Sequence, residues 1–171
     1  MVEAEFPHGY LQINDLYRWD SRFERETEFQ PEVHAGKTRI QSRESVESEL
    51  LEAVTEAGEP IKLLRAKVNL GIRIVFLESP EGTPTTLHLV EATFAVEYLV
   101  IREPSEEQLA QFCKWNCIHN VWPFWRQYVF DTLKSASLPV VAVPFFHQMG
   151  RAKSQRKKVT RSRKSLPKAQ H

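Results

Sequence analysis

The chain has 171 residues, of which 42% are hydrophobic and 26% charged, the proportions of one globular domain rather than of a disordered chain. Its two cysteines lie four positions apart, which excludes a disulfide-stapled secreted fold. No apolar run approaches the ~18 residues of a membrane span, and the first ten residues lack the basic and apolar regions of a signal peptide. We therefore expect a soluble cytoplasmic protein.

The formal net charge of +1 conceals two regions of opposite charge. Residues 150–171 hold nine Lys and Arg and no acid, so residues 1–149 hold 14 basic and 22 acidic residues, a net charge of −8. The basic segment has too few apolar side chains to offset the entropy of ordering it. We expect a domain over residues 1–149 and a disordered basic tail over residues 150–171.

Alternation of polar and apolar residues indicates strands in the first part of the chain. It predicts a first strand within residues 2–27, with a slip around Leu16, and a second strand within residues 29–43. Residues 44–59 carry six glutamates around Leu50, Leu51 and Val54. This composition fits either a short amphipathic helix or a solvated connection.

A long hairpin is predicted next. Residues 61–78 alternate strictly from Val68 to Phe76, and residues 87–101 have the composition of another strand. The sequence between them, Pro-Glu-Gly-Thr-Pro at residues 80–84, is typical of a turn.

Helical signals replace the alternation after Pro104. Ser105 and Gln108 match a capping box, and the two glutamates between them suit the positive end of a helix. Apolar residues then recur at intervals of three and four. Pro123 predicts a break, after which a second helical segment runs to residues 138–139. Strands followed by helices predict an α+β domain with an antiparallel sheet.

The sequence contains no signature of catalysis: no glycine-rich phosphate loop, no nucleophile elbow and no pair of histidines at metal-binding spacing. Cys113, Cys117 and His119 are close enough in sequence to suggest a metal or redox site. Two small residues packed on the buried face of a helix are the favoured interpretation. We expect no enzymatic activity and no cofactor.

Aromatic residues are concentrated in the helical region and cover every side of it. A surface helix of a monomer needs one apolar stripe, so the surplus predicts a subunit interface or an apolar groove. The alternative is a large intramolecular core. The residues are Trp115, Trp122, Phe124, Trp125, Tyr128 and Phe130.

Three short motifs follow one another over residues 10–146: a first-strand pattern from Ile13 to Glu24, then Leu89-Val90-Glu91, and then VWPFWRQY at residues 121–128. In this order they resemble the SecB family of protein-export chaperones. VWPFWRQY at residues 121–128 is similar to the family's Phe-Pro-Tyr-x-Arg-Glu in its long helix, with Gln127 in place of the glutamate. Leu89-Val90-Glu91 is similar to the Leu-x-Glu of the family's fourth strand. The first-strand pattern I-x-x-I-Y-x-x-D-x-x-F-E is matched by Ile13, Leu16, Tyr17, Asp20, Phe23 and Glu24.

The resemblance implies a four-stranded antiparallel, Greek-key-like sheet followed by a long broken helix, assembled as a dimer or a homotetrameric dimer of dimers. It also implies an ATP-independent chaperone that binds unfolded or newly made polypeptides and keeps preproteins competent for export by SecA. Asp20, Glu24, Leu89 and Glu91 match the positions where the family's sheet meets that motor. Solvated strand charges with one core leucine are the alternative for these four residues.

Two other functions remain open. SecB-like chaperones of toxin–antitoxin systems bind an antitoxin instead of many preproteins, and they vary in the same regions where this chain departs from export chaperones. The basic tail, which stands where the family has its final helix, also suggests a nucleic-acid-associated protein. The tail has no aromatic residue to stack on bases, so such binding would be non-specific and salt-dependent.

Overall fold

Four long strands followed by a helical segment make up the described part of the chain, which is residues 9–78 and 82–143 of a computed structural model. The predicted α+β architecture with an antiparallel sheet is therefore confirmed. The elements are β1 (Leu11–Arg25), α1 (Pro31–His34), β2 (Thr38–Val54), β3 (Pro60–Phe76), β4 (Thr85–Val100), α2 (Glu106–Phe112), a π-helical segment (Cys113–Cys117) and α3 (Ile118–Ser135).

The sheet has the strand order β1-β4-β3-β2, and every neighbouring pair is antiparallel. β2, β3 and β4 follow one another as hairpins, while the connection through α1 leads from β1 at one edge to β2 at the other. This is a Greek-key arrangement, as predicted. β1 and β2 are the two edge strands.

The two faces of the sheet differ in polarity. The inner face is apolar, because alternate residues of β3 from Leu64 to Ile74 and of β4 from Val90 to Tyr98 are buried on it. The helices cover this face. Residues of α3 spaced three or four apart pack against it, namely Ile118, Val121, Trp125, Val129 and Leu133. The outer face is polar.

β1 occupies only part of the region predicted as the first strand, and residues 1–8 lie outside the described residues. Its pairing with β4 shifts register between Ile13 and Asp15 and again between Arg18 and Asp20. Each shift is a bulge that inserts one extra residue and breaks strict alternation. These bulges explain the slip in the sequence pattern around Leu16.

The predictions for residues 29–59 need correction. Only the short helix α1 and the start of β2 lie within residues 29–43, and the glutamate-rich stretch is neither a helix nor a connection but continues β2 to Val54. The reason lies in the neighbouring strand. Glu47, Glu49 and Glu52 pair in register with Lys67, Arg65 and Lys62 of β3, so opposite charges face one another along this edge.

The predicted break at Pro123 is also wrong. Pro123 lies inside α3, and the irregularity comes earlier, in the π-helical segment. Val121 and Trp125, on either side of the proline, are buried against the sheet. This packing compensates for the one backbone hydrogen bond that proline removes.

The helix termini agree better with the sequence. The Ser105–Gln108 capping box at the start of α2 is confirmed, with both reciprocal hydrogen bonds present. α3 ends at Ser135, shortly before the predicted residues, and Ser137 follows in the left-handed conformation (φ 55°). The basic tail, the 149/150 boundary, the last three residues (144–146) of the region of resemblance and part of the turn at 80–84 lie outside the described residues.

Candidate functional site

An open groove of about 770 Å³ lies between β1 and α3 on the inner side of the sheet. Its apolar lining includes Leu16 and Phe23 of β1 and Phe94 of β4, which the strand alternation directs toward the helix. Phe124 and Tyr128, one helical turn apart on the flank of α3, form the opposite wall. The groove exists because α3 packs over β3 and β4 and leaves β1 uncovered.

Polar groups surround this apolar lining. The Arg18 guanidinium lies 5.0 Å from the centroid of the Tyr128 ring, a cation–π contact across the groove. Gln127 Nε2 donates a hydrogen bond of 2.8 Å to Asp131 Oδ1, and both residues line the groove. An apolar lining with polar groups beside it suits an extended peptide, whose side chains need apolar contacts and whose backbone needs hydrogen bonds.

The aromatic residues singled out in the sequence divide into three groups. Phe124 is 52% exposed and Tyr128 half-buried, and both line the groove. Trp115 and Trp122 are half-buried elsewhere on the helices. For Trp125, the predicted contact with a client or a second subunit is wrong. Its side chain is only 2% exposed and packs in the subunit's own core, so it offers no surface to either.

The groove residues contributed by the sheet were not predicted as site residues. Phe94 looks like any buried strand residue, because α3 and β1 meet over it only in three dimensions. Leu16 and Phe23 belong to the first-strand motif, so the sequence offered a signal for these two residues but not for their role.

On the outer face, the pairing register brings the four residues of the first- and fourth-strand motifs together. Glu24 lies opposite Leu89 and Asp20 opposite Thr93, while Arg22, between the two acids, lies opposite Glu91. Residues opposite one another in an antiparallel pair point to the same side. Asp20, Glu24, Leu89 and Glu91 therefore share the face that points away from the helices.

Guanidinium groups are interleaved with these carboxylates, so the face is not simply acidic. Arg22 lies 2.5 Å from Glu24 and 3.9 Å from Glu91, and Arg43 of β2 lies 2.5 Å from Glu91. Arg43 reaches across β3 at Gly71, where an added Cβ would lie 3.1 Å from its Cγ and Nε. No sequence pattern indicates this arrangement, which spans all four strands.

A second polar cluster lies farther along the outer face. Glu97 accepts hydrogen bonds from the Tyr17 hydroxyl (3.0 Å) and from Arg65 Nε (2.9 Å). Burial, and then the hydrogen bond to Glu97, raise the pKa of Tyr17 above its ordinary value. Trp19, 50% exposed, has Lys67 Nζ 4.1 Å from its ring centroid. The cluster ties β1, β4 and β3 together beside an exposed aromatic ring.

Within residues 9–78 and 82–143, no three His, Cys, Asp or Glu side chains come together as a metal site would require. Among the same residues, no helix is long and apolar enough to cross a membrane.

The fold is similar to that of the SecB-like chaperone Rv1957 of Mycobacterium tuberculosis, solved in complex with a ChAD peptide from the antitoxin HigA1 (Rv1956). The two chains are 16% identical and superpose with a TM-score of 0.55 over 81% of this chain and 93% of the other. No family model matches the sequence, and no curated protein is significantly similar to it. The expected SecB-like fold is thus confirmed.

Proposed function

We propose that this chain is an ATP-independent chaperone that holds an extended segment of another polypeptide in the groove between β1 and α3. The observation that carries the proposal is the apolar lining of that groove, open to solvent and bordered by the half-exposed ring of Phe124. An exposed apolar groove of this size is a recurrent feature of peptide-binding surfaces. Holding a chain there needs no covalent chemistry.

Binding alone, without nucleotide hydrolysis, can perform such a function. A chaperone that binds only the unfolded form of its client shifts the client's folding equilibrium by mass action. The groove supplies apolar contacts at one point, and the edge strand β2 offers backbone groups elsewhere. Weak contacts at several points along one chain add up to useful avidity.

The client class that we favour is an antitoxin of a toxin–antitoxin system. The support comes from the shared fold with a SecB-like chaperone whose solved complex contains an antitoxin peptide. We expect the antitoxin to bind through a short, apolar, extended segment rather than through its folded domain, because the groove accepts side chains and not a folded surface.

Export of preproteins is the second candidate, and one observation favours it. Asp20, Glu24, Leu89 and Glu91 match the SecB motor-docking motif and lie on one face, away from the groove. A client and a motor would then bind opposite sides of the sheet. If SecA is the partner, Glu24→Lys should weaken docking most at low salt and leave client binding unchanged, because rim charges act on association rate.

Assembly is part of the proposal. β1 has one unpaired edge, and pairing of that edge with a second copy would close it, in a dimer or a dimer of dimers. Light scattering at micromolar concentration measures the mass directly, and a monomer would contradict this part.

The basic tail stays a candidate site for nucleic acid. The test compares nucleic-acid binding by the full chain and by a variant without residues 150–171, each at low and at high salt.

The chaperone activity itself is tested by the aggregation of a chemically denatured protein, measured by light scattering without nucleotide. Suppression at stoichiometric amounts is expected, and a requirement for ATP would contradict the proposal. Polypeptides that copurify from cells then distinguish the two client classes. One dominant antitoxin supports the favoured function, whereas many preproteins would support export instead.

A further inference from the structure

Cys113 and Cys117 lie at the two ends of the π-helical segment, against the inner face of the sheet. Both are free thiols; Cys113 is 8% exposed and Cys117 is fully buried. Cys113 is at the edge of the core, where it hydrogen-bonds with the exposed Ser48 of the edge strand β2. Cys113 thus lies at the margin of the core, and Cys117 lies deeper in it.

Hydrogen bonds shift the pKa values of the two thiols in opposite directions. Cys117 donates to Cys113, and this bond, supported by Ser48, lowers the pKa of Cys113 to about 7. The same bond, together with burial, raises the pKa of Cys117, so that its thiol keeps its proton. Cys117 also hydrogen-bonds with Tyr98, whose hydroxyl accepts a bond of 2.8 Å from Asn120 Nδ2. A polar network therefore surrounds the two sulfurs within the core.

The backbone between the cysteines is suited to bring them together. A π-helical segment closes hydrogen bonds to the fifth residue, which widens the helix and lowers its rise per residue. Residues four apart then lie closer than the ~6 Å of a regular α-helix, within the Cα separation that a disulfide tolerates. The segment begins at one cysteine and ends at the other.

We propose that Cys113 and Cys117 are a redox-active dithiol that hydroperoxides convert into an intrahelical disulfide. The Cys113 thiolate attacks the terminal oxygen of the hydroperoxide; an S–O bond forms, the O–O bond breaks, and the alkoxide or hydroxide leaves and takes up a proton. The Cys117 sulfur then attacks the sulfenic acid of Cys113. The S–S bond forms, the S–O bond breaks, and water leaves with the thiol proton.

The disulfide would tie the end of α2 to the start of α3. Its first effect is local, because Phe112 and Ile118, which flank the segment, are buried in the core on either side of it. The cross-link should fix the π-helical geometry and slow opening of the adjoining helical turns. This chemistry does not depend on what the groove binds.

The test uses the full chain, reduced and then treated while folded with hydrogen peroxide in slight excess. We expect intact-mass spectrometry to show the loss of two hydrogen atoms, and peptide mapping to place the bond between Cys113 and Cys117. Dithiothreitol should restore both thiols. Hydrogen exchange should slow in α2 and the π-helical segment of the oxidised form.

Two variants assign the roles. Cys117→Ser should stop the reaction at the sulfenic acid of Cys113, which dimedone traps, whereas Cys113→Ser should give no dimedone adduct. If either variant unfolds, as judged by circular dichroism, the wild-type mass measurement decides alone. Both thiols still free after peroxide treatment, or a disulfide only between two chains, would overturn the proposal.

Discussion

Truncation of Phe124 should weaken client binding much more than it destabilises the subunit. The side chain is 52% exposed, so about half of its surface remains for a client to cover. A phenylalanine of ~200 Å² would then contribute ~100 Å² to the complex. At ~25 cal/mol per Å² this area corresponds to at most ~2.5 kcal/mol. Phe124→Ala should therefore raise the Kd of an apolar peptide by between ~10-fold and ~70-fold, the lower figure allowing for partial contact.

Phe130→Ala is the matched control. Phe130 is on the same helix and is 47% exposed, but it lies beside residues 140–143 and not in the groove. Fluorescence anisotropy with a labelled antitoxin-derived peptide measures both affinities, and thermal unfolding confirms that both variants are folded. Equal losses of affinity in the two variants, or none in Phe124→Ala, would refute the assignment of the groove.

Three further predictions concern stability. Burial, and then the positive charge of Arg25, lower the pKa of His88 below 6.5, so the unfolded chain binds a proton that the folded chain does not. Stability should fall as the pH drops below ~6.5, and His88→Phe should flatten that decline in urea titrations between pH 7 and pH 5; an unchanged decline would contradict the reasoning. Trp125→Ala should cost ~3–5 kcal/mol by chemical denaturation, because the ring is in the core, and a loss below ~1 kcal/mol would contradict that placement. Ser105→Ala should cost ~1 kcal/mol through loss of the capping box, whereas a neutral result would show that α2 does not need its cap.

The elements that sequence predicted correctly are those with one buried face. In β3 and β4, apolar and polar residues alternate because the inner side chains pack against α3. The packing can therefore be inferred from the sequence of each strand. Most of β2 was missed because it is an edge strand with little burial, and its glutamates are balanced by cations of β3. Such compensation depends on pairing between strands and cannot be detected from the sequence of one strand alone.

The candidate site was predicted in part for the same reason. Phe124 and Tyr128 stood out because a short helix carried more aromatic residues than one core needs. The placement of Asp20 and Glu24 on one face follows from strand geometry, because residues four apart in a strand point to the same side. The crossing of Arg43 over Gly71 to Glu91 could not be predicted, because it requires the register of three strands at once.

The central claim, that the groove between β1 and α3 holds an unfolded client, is tested most directly by photo-crosslinking in cells. A photoreactive phenylalanine analogue at position 124 should capture a polypeptide that mass spectrometry identifies as an antitoxin, joined through an apolar segment. The same analogue at position 130 should capture much less of it. Capture only of a second copy of this chain at position 124 would show that the groove is a subunit interface and would contradict the account.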